Sequence, residues 1–589
     1  MNYQEEEILG KAYDSQLMKR LLRFLKPYRF KVVLAILLLM GTAAANLIGP
    51  YLVKVAIDQH ISTGNLSGLE KLVLLYLLIL ILSFLFTFTQ VYMTQWIGQR
   101  VMYDIRMKIF SHLQHLPLSF FDKNPVGRIV TRTTNDVETL NTMLSSGIVS
   151  VFGDIFLLIG IIVVMINLDW RLALATFTVL PLLFYASMLF RIKVRRTYRD
   201  IRTRIAKINS YLQENITGMS VVQIFARESQ NFKHFKSLNR GYLDAYLKTI
   251  HYYALFFPAV ELISTIALAL ILWYGGIRIL SNAVTIGVVV AFIQYAERFF
   301  HPIRDLSEKY NILQNAMASS ERIFKLLDEP EQTIEPLEKL ELPALKGEIE
   351  FQNVWFTYNG RDYVLRDASF KIKPGEKVAV VGSTGAGKTT LINLLTRMYE
   401  PTRGKILLDG IDITRLNVHD LRNRIRIVLQ NVFIFYGSIQ YNIRLGNEDI
   451  TQEEIEQASK NVNAHDFIST LPQKYDTLLT EGGSNLSVGQ KQLLSFARAL
   501  VCNPEILVLD EATSSVDTYT EQLIQGAINN LMSGRTSLII AHRLSTIKNV
   551  DWILVIHKGE IRETGTHEEL IRKKGVYSRL YQLQYSLNV

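Results

Sequence analysis

The sequence predicts an all-α membrane domain of six helices, some extending well into the cytoplasm, fused to a soluble α/β domain built around a phosphate-binding loop. Three observations predict it. Long apolar runs fill residues 32–300, and charge density rises sharply after about residue 320. Gly382-Ser-Thr-Gly-Ala-Gly-Lys388-Thr389 has the spacing G-x-x-x-x-G-K-[ST] between an apolar run, Lys377–Val381, and a helical one starting at Thr390. Short apolar strands then alternate with helical stretches, the pattern of a largely parallel sheet. The predicted divisions are an N-terminal segment 1–30, a membrane domain 31–327, a charged, Pro-punctuated linker 328–347 and a soluble domain 348–589.

Six spans are predicted, at 32–56, 71–95, 147–168, 171–190, 253–278 and 284–300, each near the ~20 apolar residues that cross a bilayer. The last is short and polar at its end. The connections after spans one, three and five are short: Asp58 to Glu70, Asn167-Leu-Asp-Trp170 and Leu280-Ser-Asn-Ala283. Those at 96–146 and 191–252 are long and basic, as in Arg191-Ile-Lys-Val-Arg-Arg196. Lys19, Arg20, Arg23, Lys26, Arg29 and Lys31 precede the first span. Cations mark cytoplasmic ends, which places the N-terminus, both long connections and the C-terminal half in the cytoplasm. Few helix breakers interrupt the long connections, so helices are expected to run on beyond the membrane as two hairpins.

Between Ser15 and Tyr28, Leu17, Leu21, Leu22 and Leu25 fall at helical spacing among cations. An amphipathic helix is expected, either along the membrane surface or packed on the first span. Asp154 and Glu261 are carboxylates inside apolar stretches, where ionisable groups need water or a partner. Contact with a cationic substrate is one role. A place near the cytoplasmic end, paired with a basic residue, is the other. At ~1.5 Å rise per residue Glu261 lies ~25 Å from the outer end near Arg278, which favours the second.

In the soluble half, glycines of the loop let backbone N–H groups converge on phosphate, and the helix N-terminus adds positive potential. Lys388 is expected to reach the outer phosphates and the Thr389 hydroxyl to help hold Mg²⁺. Ile506-Leu-Val-Leu-Asp510 reads as a buried strand that delivers a carboxylate at its C-terminal end, suited to Mg²⁺, and Glu511 follows as a carboxylate able to polarise water. Gln430 follows the strand pattern Ile425–Leu429, and His542 follows Ser537–Ile540. Each is either a phosphate-site residue or a plain strand end. Ser487, in Leu486-Ser-Val-Gly-Gln490, can cap the helical run that follows, and Gly489 leaves room for phosphate at its N-terminus.

The net charge of +10 is accounted for by cations beside the spans, without nucleic acid as a partner. Cys502 is the one cysteine, so no internal disulfide forms, in keeping with a reducing compartment. Met1-Asn-Tyr-Gln-Glu-Glu-Glu7 lacks the basic region and short apolar core of a cleavable signal.

Together these motifs resemble the nucleotide-binding domain of an ATP-binding cassette (ABC) transporter over residues 348–589. Tyr358, the loop Gly382–Thr389, Gln430, Leu486–Gln490, Ile506–Asp510, Glu511, Ser514-Ser-Val-Asp517 and His542 occur in the family's order. The membrane half resembles the exporter type, with six helices fused ahead of one cassette. Phe120-Phe-Asp122 through Pro125-Val-Gly-Arg128 resembles the first coupling helix, and Glu481-Gly-Gly483 the loop that touches coupling helices. The resemblance implies ATP and Mg²⁺. Tyr358 would stack on adenine. Gly382, Ser383, Thr384, Gly385, Ala386, Gly387, Lys388, Thr389 and Thr390 would surround the phosphates. Thr389, Gln430 and Asp510 would hold Mg²⁺. Glu511 would be the general base, His542 would orient the γ-phosphate, and Gln430 would stand near the attacking water. Ser487, Gly489 and Gln490 would act on ATP held by an opposite cassette.

The resemblance further implies a multi-pass protein of a bacterial inner membrane, cassette in the cytoplasm, that pairs with a second half-transporter. ATP sandwiched between two cassettes would drive the bundle from inward-open to outward-open, and hydrolysis would reset it. The substrate would be a small hydrophobic or amphipathic compound, a drug or a lipid. A lipid flippase and a nucleotide-gated channel or regulator use the same scaffold. One residue departs from the family pattern: Val488 stands where the signature usually has glycine, adding a stiff side chain. Because signatures act in trans, Val488 bears on the partner's ATP, while this chain's Glu511 is intact. That resembles one subunit of heterodimeric exporters, as does Glu5-Glu-Glu-Ile-Leu-Gly-Lys-Ala-Tyr13. A heterodimer is therefore expected over a homodimer.

Overall fold

Where water is excluded, each backbone N–H and C=O must find its partner within the segment, so the apolar runs of the first half fold as helices. The structure is a computed structural model that describes residues 14–331, 346–510, 517–541, 547 and 549–585. Most of the predicted linker and the segment Glu5–Tyr13 lie outside them. The chain divides into two units: residues before His115 with Pro125–Glu329, and His115–Asn124 with the residues after Glu329.

In the first unit, five helical stretches among the described residues are long and apolar enough to cross a membrane. They are Lys26–Ile61, Leu66–His115, Val126–Leu168, Trp170–Thr217 and Glu228–Leu280. The predicted sixth span lies in the helix Ile286–Leu327, which falls short of that composition because Gln294, Glu297 and Arg298 follow closely on its apolar start. The long basic connections are helical, as expected. Leu66–His115 has 50 residues and Glu228–Leu280 has 53. At ~1.5 Å per residue these run for about 75–80 Å, more than twice the ~30 Å hydrocarbon layer.

Proline interrupts two of the predicted helical runs, one of them inside a stretch that still has the length and composition to cross a membrane. The predicted span 171–190 is two segments, Trp170–Phe177 and Leu180–Thr217, because Pro181 in the first turn of the second cannot continue the hydrogen-bond ladder. The helix predicted over 15–28 ends at Arg23, and Pro27 lies in a separate 3₁₀ turn, Lys26–Tyr28. The Asp14 carboxylate caps Ser15–Arg23 by accepting the N–H groups of Gln16 and Leu17. Its buried face, Met18 and Leu21, does not pack on the first span alone. Arg20 donates two hydrogen bonds of 2.7 Å to Asp328, and Phe24 stacks on Phe324, both at the end of Ile286–Leu327.

Asp154 is ion-paired with Lys309, the partnered role anticipated for it. Glu261 is exposed, with no ion pair among the described residues. Asp136, 4% exposed, accepts from Ser319 (2.9 Å) and from two nitrogens of Arg322 (2.9 and 2.5 Å). That network ties the helical stretch around residue 136 to Ile286–Leu327. Asp169 caps Trp170–Phe177 through the Leu172 N–H and pairs with Arg278 at 2.5 Å, closing the short third connection.

The second unit contains β1 (Ile349–Phe356), β2 (Leu365–Ile372), β3 (Lys377–Val381), β4 (Arg403–Leu408), β5 (Ile411–Asp412) and β6 (Ile425–Val428). After these come β7 (Gly437–Ser438), β8 (Leu478–Leu479), β9 (Ile506–Asp510), β10 (Thr536–Ile540), β11 (Trp552–His557) and β12 (Glu560–Gly565). A four-stranded antiparallel sheet has the order β2-β1-β4-β5, and a six-stranded sheet the order β12-β11-β3-β10-β9-β6. In the larger sheet every pairing is parallel except β11–β12. Its central strands are buried on both faces. Ala379, Leu507 and Ile539 join one core, and Val378, Val508 and Leu538 join the other, with the antiparallel sheet. That is why these strands read as unbroken apolar runs.

Candidate functional site

Parallel strands aim their carboxyl ends the same way, and here those ends carry the predicted residues. Register aligns Val380 of β3 with Ile540 of β10 and Ile540 with Asp510 of β9, while Val428 of β6 stands beside Leu509. The loop after β3, Asp510 itself and Gln430 just past β6 therefore share one edge of the sheet, where ligands of α/β folds bind. Glu511 and His542 follow Asp510 and Ala541 in sequence but lie outside the described residues, as do Ser514–Val516 of the predicted Ser514–Asp517 loop.

The helix after the loop is Lys388–Leu395, starting two residues before the expected Thr390. A Cβ on Gly382 would collide with the carbonyl oxygen of Ile556. Gly387 has φ +105° and abuts the carbonyl of Val364, a conformation that only glycine adopts without strain. Ser383, Thr384, Gly385 and Thr389 are exposed at the edge, while Ala386, Gly387, Lys388 and Thr390 are buried. Lys388 is 8% exposed, and its Nζ donates to the carbonyls of Gly382 (2.7 Å) and Ser383 (3.1 Å). Burial lowers its pKa, against the opposing pull of Asp510. The ammonium is thus held by neutral oxygens that phosphate oxygens can replace with stronger, charge-assisted bonds. The Thr389 hydroxyl, the Asp510 carboxylate and the Gln430 amide offer oxygen donors, which suit a hard cation such as Mg²⁺. No group of three or more His, Cys, Asp or Glu able to hold a metal stands among the described residues.

Tyr358 stands beside this loop. Its hydroxyl lies 3.2 Å from the Thr390 hydroxyl, and its ring meets Phe356 and Tyr399 edge-on at 4.7 and 5.0 Å. It keeps 40% of its surface exposed, which leaves a face open for stacking. Tyr399, which no motif singled out, donates its hydroxyl to the Asp122 carboxylate. Burial and that bond raise the Tyr399 pKa. Asp122 lies in the short helix Leu118–Lys123, within the segment predicted to couple the two halves. Tyr399→Phe keeps the ring and removes the bond. Amide hydrogen exchange over residues 116–124 is expected to quicken by about tenfold, the worth of ~1.4 kcal/mol for a bond to a charged group. An unchanged exchange rate would show that the bond holds nothing in place.

Two further residues were not legible as motifs. Asn442 binds both backbone groups of Phe435 (2.8 and 2.9 Å), and Arg498 donates to the carbonyls of Phe433 (3.0 Å) and Asn442 (2.8 Å). Burial lowers the Arg498 pKa. They fix the stretch after Gln430, which has no regular structure of its own. Only the partners' positions in space reveal this.

Ser487 caps the helix Val488–Leu500. Its Oγ accepts the Gln490 N–H (3.2 Å), and the Gln490 Oε1 accepts the Ser487 N–H (2.9 Å). The Gln490 side chain is thus engaged in the cap here. Gly489 is buried and Val488 is 61% exposed. Lys491 Nζ donates to the Gly482 carbonyl (2.9 Å), and Gly483 packs against Ile434. The loop Glu481–Gly483, the capped helix and the stretch after Gln430 are therefore one connected structure. Asp517 caps Thr518–Met532 by accepting the Thr520 N–H (2.9 Å), which lowers its pKa.

Comparison with known proteins agrees with this two-part fold. The family described as ABC transporter transmembrane region matches residues 32–303, and the family described as ABC transporter matches 365–514. The uncharacterized ABC transporter ATP-binding protein YknV of Bacillus subtilis is 40% identical, over 99% of this chain and 97% of its own. The ATP-dependent lipid A-core flippase of Syntrophus aciditrophicus is 37% identical, over 96% and 94%. The putative multidrug export ATP-binding/permease protein YgaD of Bacillus subtilis is 35% identical, over 96% and 99%. The structure of a bacterial Atm1-family ABC exporter with ATP bound is 29% identical and superposes with a TM-score of 0.78, covering 95% of this chain and 98% of that one.

Proposed function

Because this chain belongs to the ABC transporter family, we propose that it exports amphipathic or hydrophobic compounds, drugs or lipids, as one half of a dimeric transporter. It is a multi-pass membrane protein whose cassette hydrolyses ATP to power transport. The observation that carries the proposal is the convergence of Lys388, Asp510 and Gln430 at one sheet edge, in a chain that also holds five membrane-length helices. The loop amides and Lys388 bind the phosphates, and Tyr358 stacks on the base. Asp510, Thr389 and Gln430 hold Mg²⁺, which neutralises phosphate charge when bound. Glu511 takes the proton of the attacking water, and His542 orients the γ-phosphate. Ser487 and Gly489 complete the site of a partner cassette, so that ATP closes the pair and opens the bundle outward. The named relatives are bacterial, in keeping with a bacterial inner membrane and a cytoplasmic cassette.

Val488 supports a heterodimer. A β-branched side chain, 61% exposed in the first turn of the capped helix, stands where a partner's phosphates would approach. The flippase relative favours lipid as one substrate class. The test is ATPase activity of the purified chain in proteoliposomes against a panel of lipids and hydrophobic drugs, with and without a co-expressed second half-transporter. At least one compound is expected to raise turnover several-fold, and only with the second subunit. A flat response to every compound in both preparations would overturn export. Full activity from this chain alone, as a stable dimer, would overturn the heterodimer.

A further inference from the structure

Trp96 stands where the helix Leu66–His115 leaves its apolar stretch. On one side of it Phe88 and Tyr92 are exposed, and on the other Arg100 and Tyr103 are. An indole at that transition is a membrane-interface position. Two cations from two helices converge on the ring. Lys31, from Arg29–Val55, has its Nζ 3.3 Å from the ring centroid, and the Arg100 guanidinium carbon lies 5.3 Å from it. Both side chains are exposed, and neither has a carboxylate partner among the described residues. Asp104, on the same helix, instead accepts the Tyr28 hydroxyl at 2.8 Å, and Tyr28 meets the Trp96 ring edge-on at 5.8 Å. Lys26 and Arg29 are exposed nearby in sequence and add positive charge. Phe30, Leu34 and Leu37, on the helix that carries Lys31, are 77%, 46% and 58% exposed.

We propose that Lys31, Arg100 and Trp96 form a binding site for the phosphate of an anionic phospholipid in the cytoplasmic leaflet. The indole holds the two cations by its face. Both cations are exposed, and with no carboxylate partner among the described residues their N–H donors are available to phosphate oxygens. Attraction of juxtamembrane cations to anionic headgroups is the general force. What this geometry adds is convergence, two cations on one ring rather than a diffuse stripe. The exposed apolar side chains that follow Lys31 give acyl chains a surface, which selects a lipid over a free anion. This site is built from residues of the first unit alone and does not depend on the transported substrate.

The test is a titration of the purified full chain, held in neutral detergent, with short-chain phosphatidylglycerol. Tryptophan emission is read for the wild type and for Trp96→Phe, and the difference isolates the Trp96 signal. A saturable change is expected with phosphatidylglycerol and none with phosphatidylcholine or inorganic phosphate. Lys31→Ala with Arg100→Ala is expected to raise the half-saturating concentration tenfold or more. Lys31→Arg with Arg100→Lys, which keeps both charges, is expected to bind within about threefold of wild type. High salt is expected to abolish the wild-type change, a readout that needs no variant to fold. Equal responses to the two lipids, saturation by inorganic phosphate alone, wild-type binding by the alanine pair, or a change that survives high salt would each overturn the proposal.

Discussion

Lys388→Ala is expected to weaken MgATP binding by about 100-fold or more without destabilising the cassette. Two charge-assisted bonds to phosphate, each worth about 1.5–3 kcal/mol, account for a loss of that size. The fold does not depend on them. Lys388 is buried with its charge disfavoured, and its two hydrogen bonds go to Gly382 and Ser383, carbonyls at the exposed edge that water can serve in its absence. Calorimetric titration with MgATP and a thermal melt measure the two halves of the expectation. Retained affinity would remove Lys388 from the phosphate site, and a large fall in melting temperature would make its role structural. The lowered pKa also sets a sign for pH. An uncharged amine cannot grip phosphate, so affinity of the wild type falls as pH rises, starting below the range of an ordinary lysine. Lys388→Arg should lose that alkaline fall.

Glu511→Gln is expected to retain MgATP affinity within a few-fold and to lower turnover by about 10²–10⁴-fold, the usual contribution of a positioned general base. Glutamine keeps the shape of the side chain and cannot accept the proton of the attacking water. Single-turnover hydrolysis beside equilibrium binding separates the two effects. Unchanged turnover would remove Glu511 from the role of base. The variant should also trap the dimer with nucleotide between its cassettes, which size-exclusion chromatography in detergent would detect.

Much of the site was legible because its chemistry is written locally. The loop Gly382–Thr389 needs glycines where the backbone crowds Ile556 and Val364, and those glycines carry the motif. The capped helix at Ser487 was legible for the same reason, since the cap and its Gln490 partner are three residues apart. The parallel sheet announced itself through apolar runs buried on both faces. The breaks before Pro181 and around Pro27 are equally local, since a proline ring has no N–H to give to the helical ladder.

Tyr399, Asn442, Arg498 and Lys309 belong to another kind. The long-range contacts among them span 56 to 277 residues of chain: Tyr399 meets Asp122, Arg498 meets Asn442 and Phe433, and Lys309 meets Asp154. No local pattern encodes such pairs, because a side chain's partner at long range is set by how elements pack. The same holds for the meeting of Lys31 and Arg100 on Trp96.

Chain order alone thus determined the two-part architecture, the membrane helices, the glycine-rich loop between strand and helix, and the family, since each rests on spacing within a few tens of residues. Packing settled which cations face carboxylates and which face an indole, where the N-terminal helix docks, and which side chains hold the stretch after Gln430. Those outcomes depend on burial and on distances across the fold, quantities that exist only once the chain has closed on itself.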